Sequence, residues 1–180
     1  AMSLPGGAPT TTSGPSDPYP SELVVSGLPT SGATVVRVRL NGLSHTFPGD
    51  LDVLLQSPTG TNVALMSDQG GGTDVVNVDL VFQDGSPVVP GTIVSGPYAP
   101  SADALADAYN APGPASFTGN GTALSNFTGD VNGTWRLMIM DDAGGDFGAL
   151  TSWAIEFEYN NVTYTWTGAG LNSTSGPDVT

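Results

Sequence analysis

Three aspartates crowd the stretch Asp141-Asp142-Ala143-Gly144-Gly145-Asp146, where two glycines leave the backbone free to fold the carboxylates onto one point. Carboxylates, backbone carbonyls and water together make up the roughly six to eight oxygen ligands that a calcium ion takes. Asp50 and Asp52, on the strand face opposite Leu51, Val53 and Leu55, offer a second acidic pair or the other half of the same site. The spacing is not that of an EF-hand loop, and a plain solvated acidic turn is the competing reading. Other chemistries fare worse. A Ser-His-Asp triad would have to use His45, the single histidine, and no G-x-S-x-G stretch presents a serine. His45 is expected in a turn, with a structural hydrogen bond as its commoner role. A phosphate loop needs a lysine, and the chain has none. One histidine and no cysteine are too few for catalytic zinc. Paired carboxylates for glycoside hydrolysis are available by count, but they sit in glycine loops, which suit calcium better than an acid raised in an apolar pocket. Nothing here reads as an enzyme on its own.

The charge balance agrees with a cation partner. Seventeen acidic residues stand against three arginines (Arg37, Arg39 and Arg136), for a net charge of -14. Phosphate polyanions and anionic membrane surfaces are repelled by such a chain, so neither nucleic acid nor a membrane is expected as partner. No apolar run approaches the roughly 20 residues of a membrane span, and no signal peptide is visible. The absence of cysteine excludes disulfides.

The elements that must position these carboxylates read as short strands. Gly 25 and Pro 15 in 180 residues, with only 11% charged side chains, favour strands and turns over helices. Residues 22–26, 34–43, 51–56, 62–67, 75–83, 134–140 and 151–159 are strand candidates, most of them alternating with a period of two. The pair 134–140 and 151–159 is expected to form a closing hairpin around the acidic loop, with Trp135 and Trp153 in the core. In 75–83 the inward row is expected to be Val76, Val78, Leu80 and Phe82. Arg37 and Arg39 share an outer face, as do Glu156 and Glu158, so neighbouring strands would give cross-strand ion pairs. Residues 84–133 lose the periodicity, apart from a helical turn or two within 101–109. They are expected to wrap the sandwich as an ordered crossover anchored by Ile93, Tyr98, Phe117, Leu124 and Phe127. Residues 1–20 read as a Pro/Gly/Ser/Thr linker, with Ala1-Met2 an expression remnant, and 21–160 as the sandwich. Residues 161–180 supply one more strand and a second linker. Five N-x-S/T sequons begin at Asn120, Asn126, Asn132, Asn161 and Asn172, and matter only in a glycosylating host.

The run His45-Thr46-Phe47-Pro48-Gly49-Asp50-Leu51, followed by Leu55-Gln56-Ser57-Pro58-Thr59-Gly60-Thr61, resembles the H-T-[YF]-x-G-D-L … L-x-S-P-x-G-T signature of the P domain. This domain follows the catalytic domain in subtilisin-like proprotein convertases. Asn132-Gly133-Thr134-Trp135-Arg136-Leu137, Asp141, Gly148-Ala149-Leu150 and Trp153 are similar to its closing n-G-x-W-x-L … D … G-x-L-x-x-W. Phe82-Gln83-Asp84 matches the F-x-D step between them and adds Asp84 to the candidate metal ligands. The likeness covers roughly residues 21–159. Pro48 stands where many members have arginine, so no R-G-D motif is present, and the 84–133 segment is longer than in eukaryotic members.

The resemblance implies an antiparallel β-sandwich of jelly-roll type without substantial helix, noncatalytic, secreted or at the cell surface, in a bacterial protein. Its expected partner is a neighbouring domain of the same polypeptide, associated with a subtilisin-like serine endopeptidase and stabilised or targeted with the help of calcium-held loops. The alternative is a stand-alone adhesion or polysaccharide-binding module, for which Trp166, Tyr164 and Tyr98 are the candidate exposed aromatics.

Overall fold

The computed structural model describes residues 1–102, 107–117, 121–168 and 178–179. In chain order its strands are β1 (Met2–Leu4), β2 (Gly14–Pro15), β3 (Ser21–Val25), β4 (Thr34–His45), β5 (Leu51–Gln56), β6 (Asn62–Ser67) and β7 (Val75–Phe82). They continue with β8 (Gly96–Tyr98), β9 (Ser101–Ala102), β10 (Gly133–Asp141), β11 (Gly148–Tyr159), β12 (Val162–Gly168) and β13 (Asp178–Val179). Two 3-10 turns, Pro48–Asp50 and Leu124–Asn126, are the only helical elements among the described residues. Of the helical turn expected within 101–109, the ends are strand or irregular and residues 103–106 lie outside the described residues. So do the sequons at Asn120 and Asn172 and most of the C-terminal linker.

The strands make an all-β sandwich of two sheets. Sheet I runs β13-β12-β11-β4-β7-β8, with β1 also on β11; sheet II runs β2-β10-β5-β6-β9, with β3 also on β10. Both are mixed rather than wholly antiparallel, because β7–β8 and β6–β9 pair in parallel. Both exceptions arise in the crossover after Phe82. It returns past the start of β7 before laying β8 along that strand, and then adds β9 to the edge of the other sheet. All five expected crossover anchors are buried: Ile93, Tyr98, Phe117, Leu124 and Phe127.

The acidic loop proves to be a corner between sheets, not a hairpin turn. β10 lies in sheet II and β11 in sheet I. Each strand turns an apolar row inward, Trp135, Leu137 and Ile139 on β10 and Trp153, Ile155 and Phe157 on β11, all at most 1% exposed. Paired in one sheet, the rows would lie side by side and still need a cover. Facing each other across the sandwich they cover one another, with the Trp135 and Phe157 rings 5.6 Å apart at 62°. Phe127 and Trp166 extend this line of ring contacts on either side.

Residues 1–20 are also not a free linker. β1 pairs with residues 148–150 of β11, and β2 pairs with β10. Met2 and Leu4 are core residues, and the Ser16 N–H donates to the Ile139 carbonyl. Two apolar side chains at a spacing of two suffice for an edge strand, and the surrounding Pro and Gly conceal them. In β7 the inward phase slips by one residue. Val75, Leu80 and Phe82 are buried while Val76 is 78% exposed, because Asn77 takes φ +54 and the register with β4 shifts there.

The expected ion pairs form on the outer face of sheet I, converging on Glu156 alone. Arg37 donates to Glu156 Oε2 at 3.0 Å and Arg39 Nε to Oε1, while Glu158 is exposed. Burial alone would raise the Glu156 carboxyl, but the two guanidinium groups outweigh it and hold it below its usual range. Both arginine side chains are 37% exposed, so Glu156→Gln is expected to cost only about 1 kcal/mol. Urea denaturation checks this. The difference should shrink in high salt and vanish once acid protonates Glu156, and an unchanged midpoint at pH 7 would mean that the cluster contributes nothing.

The motif residues behind the family resemblance mostly have jobs in this framework. Trp135 Nε1 donates to the Val131 carbonyl at 2.9 Å and Trp153 Nε1 to Ser21 Oγ at 2.8 Å, each removing the cost of a buried indole N–H. Ser57 Oγ accepts the Thr61 N–H and closes the β5–β6 turn. The Asn132 side chain bridges to Leu28 through both its oxygen and its nitrogen.

Candidate metal centre

The acidic residues meet at one end of the sandwich because three loops converge there. β5 and β10 are antiparallel neighbours, with Asp141 opposite Leu51 and Met140 opposite Asp52. The loop after β10 is tied to the turn before β5 by the Asp142 N–H donating to the Asp50 carbonyl at 3.0 Å. The loop after β6 joins them through the Gly49 N–H and the Gly71 carbonyl, also at 3.0 Å. Thr46 Oγ1 donates to Asp146 Oδ1 and accepts the Phe147 N–H, which fixes the far side of the corner.

Asp141 is the innermost of these carboxylates. It is 2% exposed, and neither of its oxygens has an aligned hydrogen-bond donor in the protein. His45, expected in a turn, is instead the last residue of β4 and just as buried. Its Nδ1 accepts the Phe47 N–H, so in the neutral ring the proton sits on Nε2. Nε2 lies 3.2 Å from Asp141 Oδ2 without the alignment of a good hydrogen bond. Burial lowers the His45 pKa despite the Asp146 charge, which keeps the ring neutral. The imidazole therefore does not cancel the charge of Asp141. Burial, then Asp50, push the Asp141 carboxyl up to about 7 against the pull of the Ala143 amide. Asp50 is raised too, by burial and then by Asp146, Asp142 and Asp68.

Nor does any arginine reach the corner as a counter-charge. Arg37 and Arg39 pair with Glu156, and Arg136 Nε donates to Glu22 at 2.9 Å. These are all the Lys and Arg side chains of the chain. Like charges held together in a partly desolvated site destabilise the folded state unless a proton or an external cation joins them.

Of the six residues expected from sequence, Asp50, Asp141, Asp142 and Asp146 neighbour one another at this corner, although no three of them bring carboxylate oxygens within 4.8 Å of each other. Asp52 belongs to the same strand end but to the opposite sheet face, which it shares with Leu54. Asp84 is not a member. Its carboxylate accepts the N–H groups of Leu124 and Ser125 at 2.8 and 3.0 Å, capping the 3-10 turn Leu124–Asn126. It lines a cavity with Thr34, at the start of β4, whereas the acidic corner meets His45 at the end of that strand, roughly 30 Å away. Asp68, in the loop between β6 and β7, and Asp107, in the segment without periodicity, were not among the ligands expected from sequence. The aromatics nominated for a sugar-binding face do not make one, since Trp166 and Tyr98 are buried and Tyr164 is half-buried.

In the comparisons with known proteins, no family model matches the chain and no curated protein matches it.

Proposed function

We propose that this chain is a noncatalytic accessory β-sandwich of the P-domain kind, from an exported bacterial protein associated with a subtilisin-like serine endopeptidase. In this reading it stabilises or targets its neighbouring domain, and calcium fastens its acidic corner. The observation that carries the metal part is Asp141, buried beside Asp50, Asp142 and Asp146 with no well-aligned hydrogen-bond donor on either oxygen, in a chain whose three arginines are all paired elsewhere. An all-oxygen donor set in flexible loops is what calcium favours. The motif residues from His45 to Trp153 carry the rest of the reading. An apolar rim beside the corner suits a neighbouring domain: Val76, Phe47 and Phe147 are 78%, 39% and 41% exposed, and Val76 and Phe147 border a cleft of about 330 Å³.

An ion that binds only the folded state at about one hundred times its Kd adds about 2.7 kcal/mol. Millimolar calcium is therefore expected to raise the melting temperature of the chain well above its value in EDTA, and Asp141→Asn should reduce that rise. Identical melts of the unsubstituted chain with and without calcium would overturn the reading.

A further inference from the structure

The outer face of sheet II carries a second carboxylate group. Here β5, β6 and β10 present Leu54, Ala64 and Met138, and the crossover covers them with Tyr109 and Phe117. The covering loop is closed on itself by the Phe117 N–H donating to the Asp107 carbonyl at 2.7 Å and the Tyr109 N–H to the Pro114 carbonyl at 2.9 Å. At its edge, Asp52 of β5, Asp68 of the loop after β6 and Asp107 of the crossover each bring a carboxylate oxygen within 4.8 Å of the other two.

Charge crowding alone would not make this a site, but the buried polar atoms point the same way. Asp52 is 2% exposed, and its Oδ1 has no hydrogen-bond partner. Tyr109 is 3% exposed, its hydroxyl is also unpartnered, and burial followed by the charges of Asp52 and Asp107 makes that hydroxyl harder to ionise. Ser67 Oγ donates to Asp107 Oδ2 and so orients it. Burial of this kind is costly for an ionised carboxylate beside two others unless a cation completes the group. The oxygens are no farther apart than two calcium–oxygen bonds of about 2.4 Å laid end to end, and the donors are all hard.

We propose that Asp52, Asp68 and Asp107 hold a hard divalent cation of the calcium class, separate from the corner site, which clamps the crossover onto the outer face of sheet II. Its ligands come from three stretches far apart in sequence, so the ion acts as a cross-link between β5, the loop after β6 and the crossover. The corner reading uses other residues, on the other side of the sheet, so each is tested by its own substitutions, although the charges of Asp68 and Asp142 reach both groups.

Calcium titrated calorimetrically into the metal-stripped full chain tests this, with Asp52→Asn, Asp107→Asn and Asp141→Asn alongside. The expected result is two classes of bound ion: Asp52→Asn and Asp107→Asn each remove one class, and Asp141→Asn removes the other. Asp107 is only half-buried and its variant is expected to fold, which covers the case in which Asp52→Asn does not. Hydrogen exchange gives an independent readout: calcium should slow exchange across 107–117 in the unsubstituted chain and leave it unchanged in Asp107→Asn. If Asp52→Asn and Asp107→Asn bind as many ions as the unsubstituted chain, the clamp is wrong, whatever Asp141→Asn does. If only Asp141→Asn keeps the full count, the corner reading fails and the clamp stands. No binding at all overturns both.

Discussion

In EDTA the melting temperature is expected to fall by about 5–10 °C between pH 6.5 and pH 8.5, and saturating calcium should flatten the slope. The sign follows from two carboxyls. Burial, with Asp107, Asp142 and Asp68 nearby, pushes Asp52 up to about 8, and Asp141 stands at about 7. In the unfolded chain both titrate near the ordinary carboxylate value of about 4. Between pH 4 and pH 8 the folded state thus binds more protons than the unfolded state, and stability decreases as pH rises. Over the upper part of that window the loss is on the order of 2–3 kcal/mol. His45 works in the opposite direction, since its lowered pKa costs stability only as pH falls through the unfolded value of about 6.5. Above pH 6.5 it has little left to contribute. Glu156, held low by its arginines, acts only in acid. Calcium replaces the protons on the carboxylates it ligates, so in its presence the dependence weakens. Scanning calorimetry at the two pH values, with and without metal, decides it. A metal-free melting temperature that is flat or rises with pH would mean that these carboxylates are not held in the folded state as described.

Gly148→Ala is expected to lower the melting temperature by about 6–12 °C, corresponding to about 3 kcal/mol. Gly148 begins β11 and pairs with His45, where the two strands run unusually close. A Cβ there would sit 2.0 Å from the Ser44 carbonyl oxygen and 2.8 Å from the His45 Cα, both backbone atoms that cannot rotate away. Only separation of β4 from β11 relieves the overlap, and that moves His45 off Asp141 and opens the corner. Calcium stabilisation should therefore decline along with intrinsic stability. Gly144→Ala is the control from the same loop: its Cβ would meet only Thr12 Oγ1, at 3.7 Å, so a change within about 0.5 kcal/mol is expected. Equal melting of both variants and the unsubstituted chain would refute the close approach at Gly148.

This glycine shows how the sequence carries information whose reason is three-dimensional. The motif G-x-L-x-x-W was legible around Gly148, Leu150 and Trp153, but not why the first position refuses a side chain. The strands themselves were legible because period-two alternation is a local property, as 51–56 and 151–159 illustrate. The ion pairs of Arg37 and Arg39 were half legible: each pair shared a face, but their meeting on Glu156 required β4 and β11 to be neighbours. Asp84 misled for the converse reason. It had the right residue type and motif position, but its carboxylate is used up by two backbone N–H groups at the far end of the sandwich.

By itself, then, the sequence determined an acidic all-β chain, its main strands, and an acidic loop carrying Asp141, Asp142 and Asp146, with Asp50 and Asp52 left open as a second pair or the other half of the same group. Composition and alternation are summed over neighbours along the chain, so they need no knowledge of what lies opposite. Only the tertiary structure decided that β10 and β11 belong to opposite sheets, that Met2 and Leu4 complete the core, and that Asp68 and Asp107 meet Asp52. Those outcomes depend on which apolar rows cover one another and on where a crossover without periodicity comes to rest. Both are settled by long-range packing, which no stretch of the chain encodes alone.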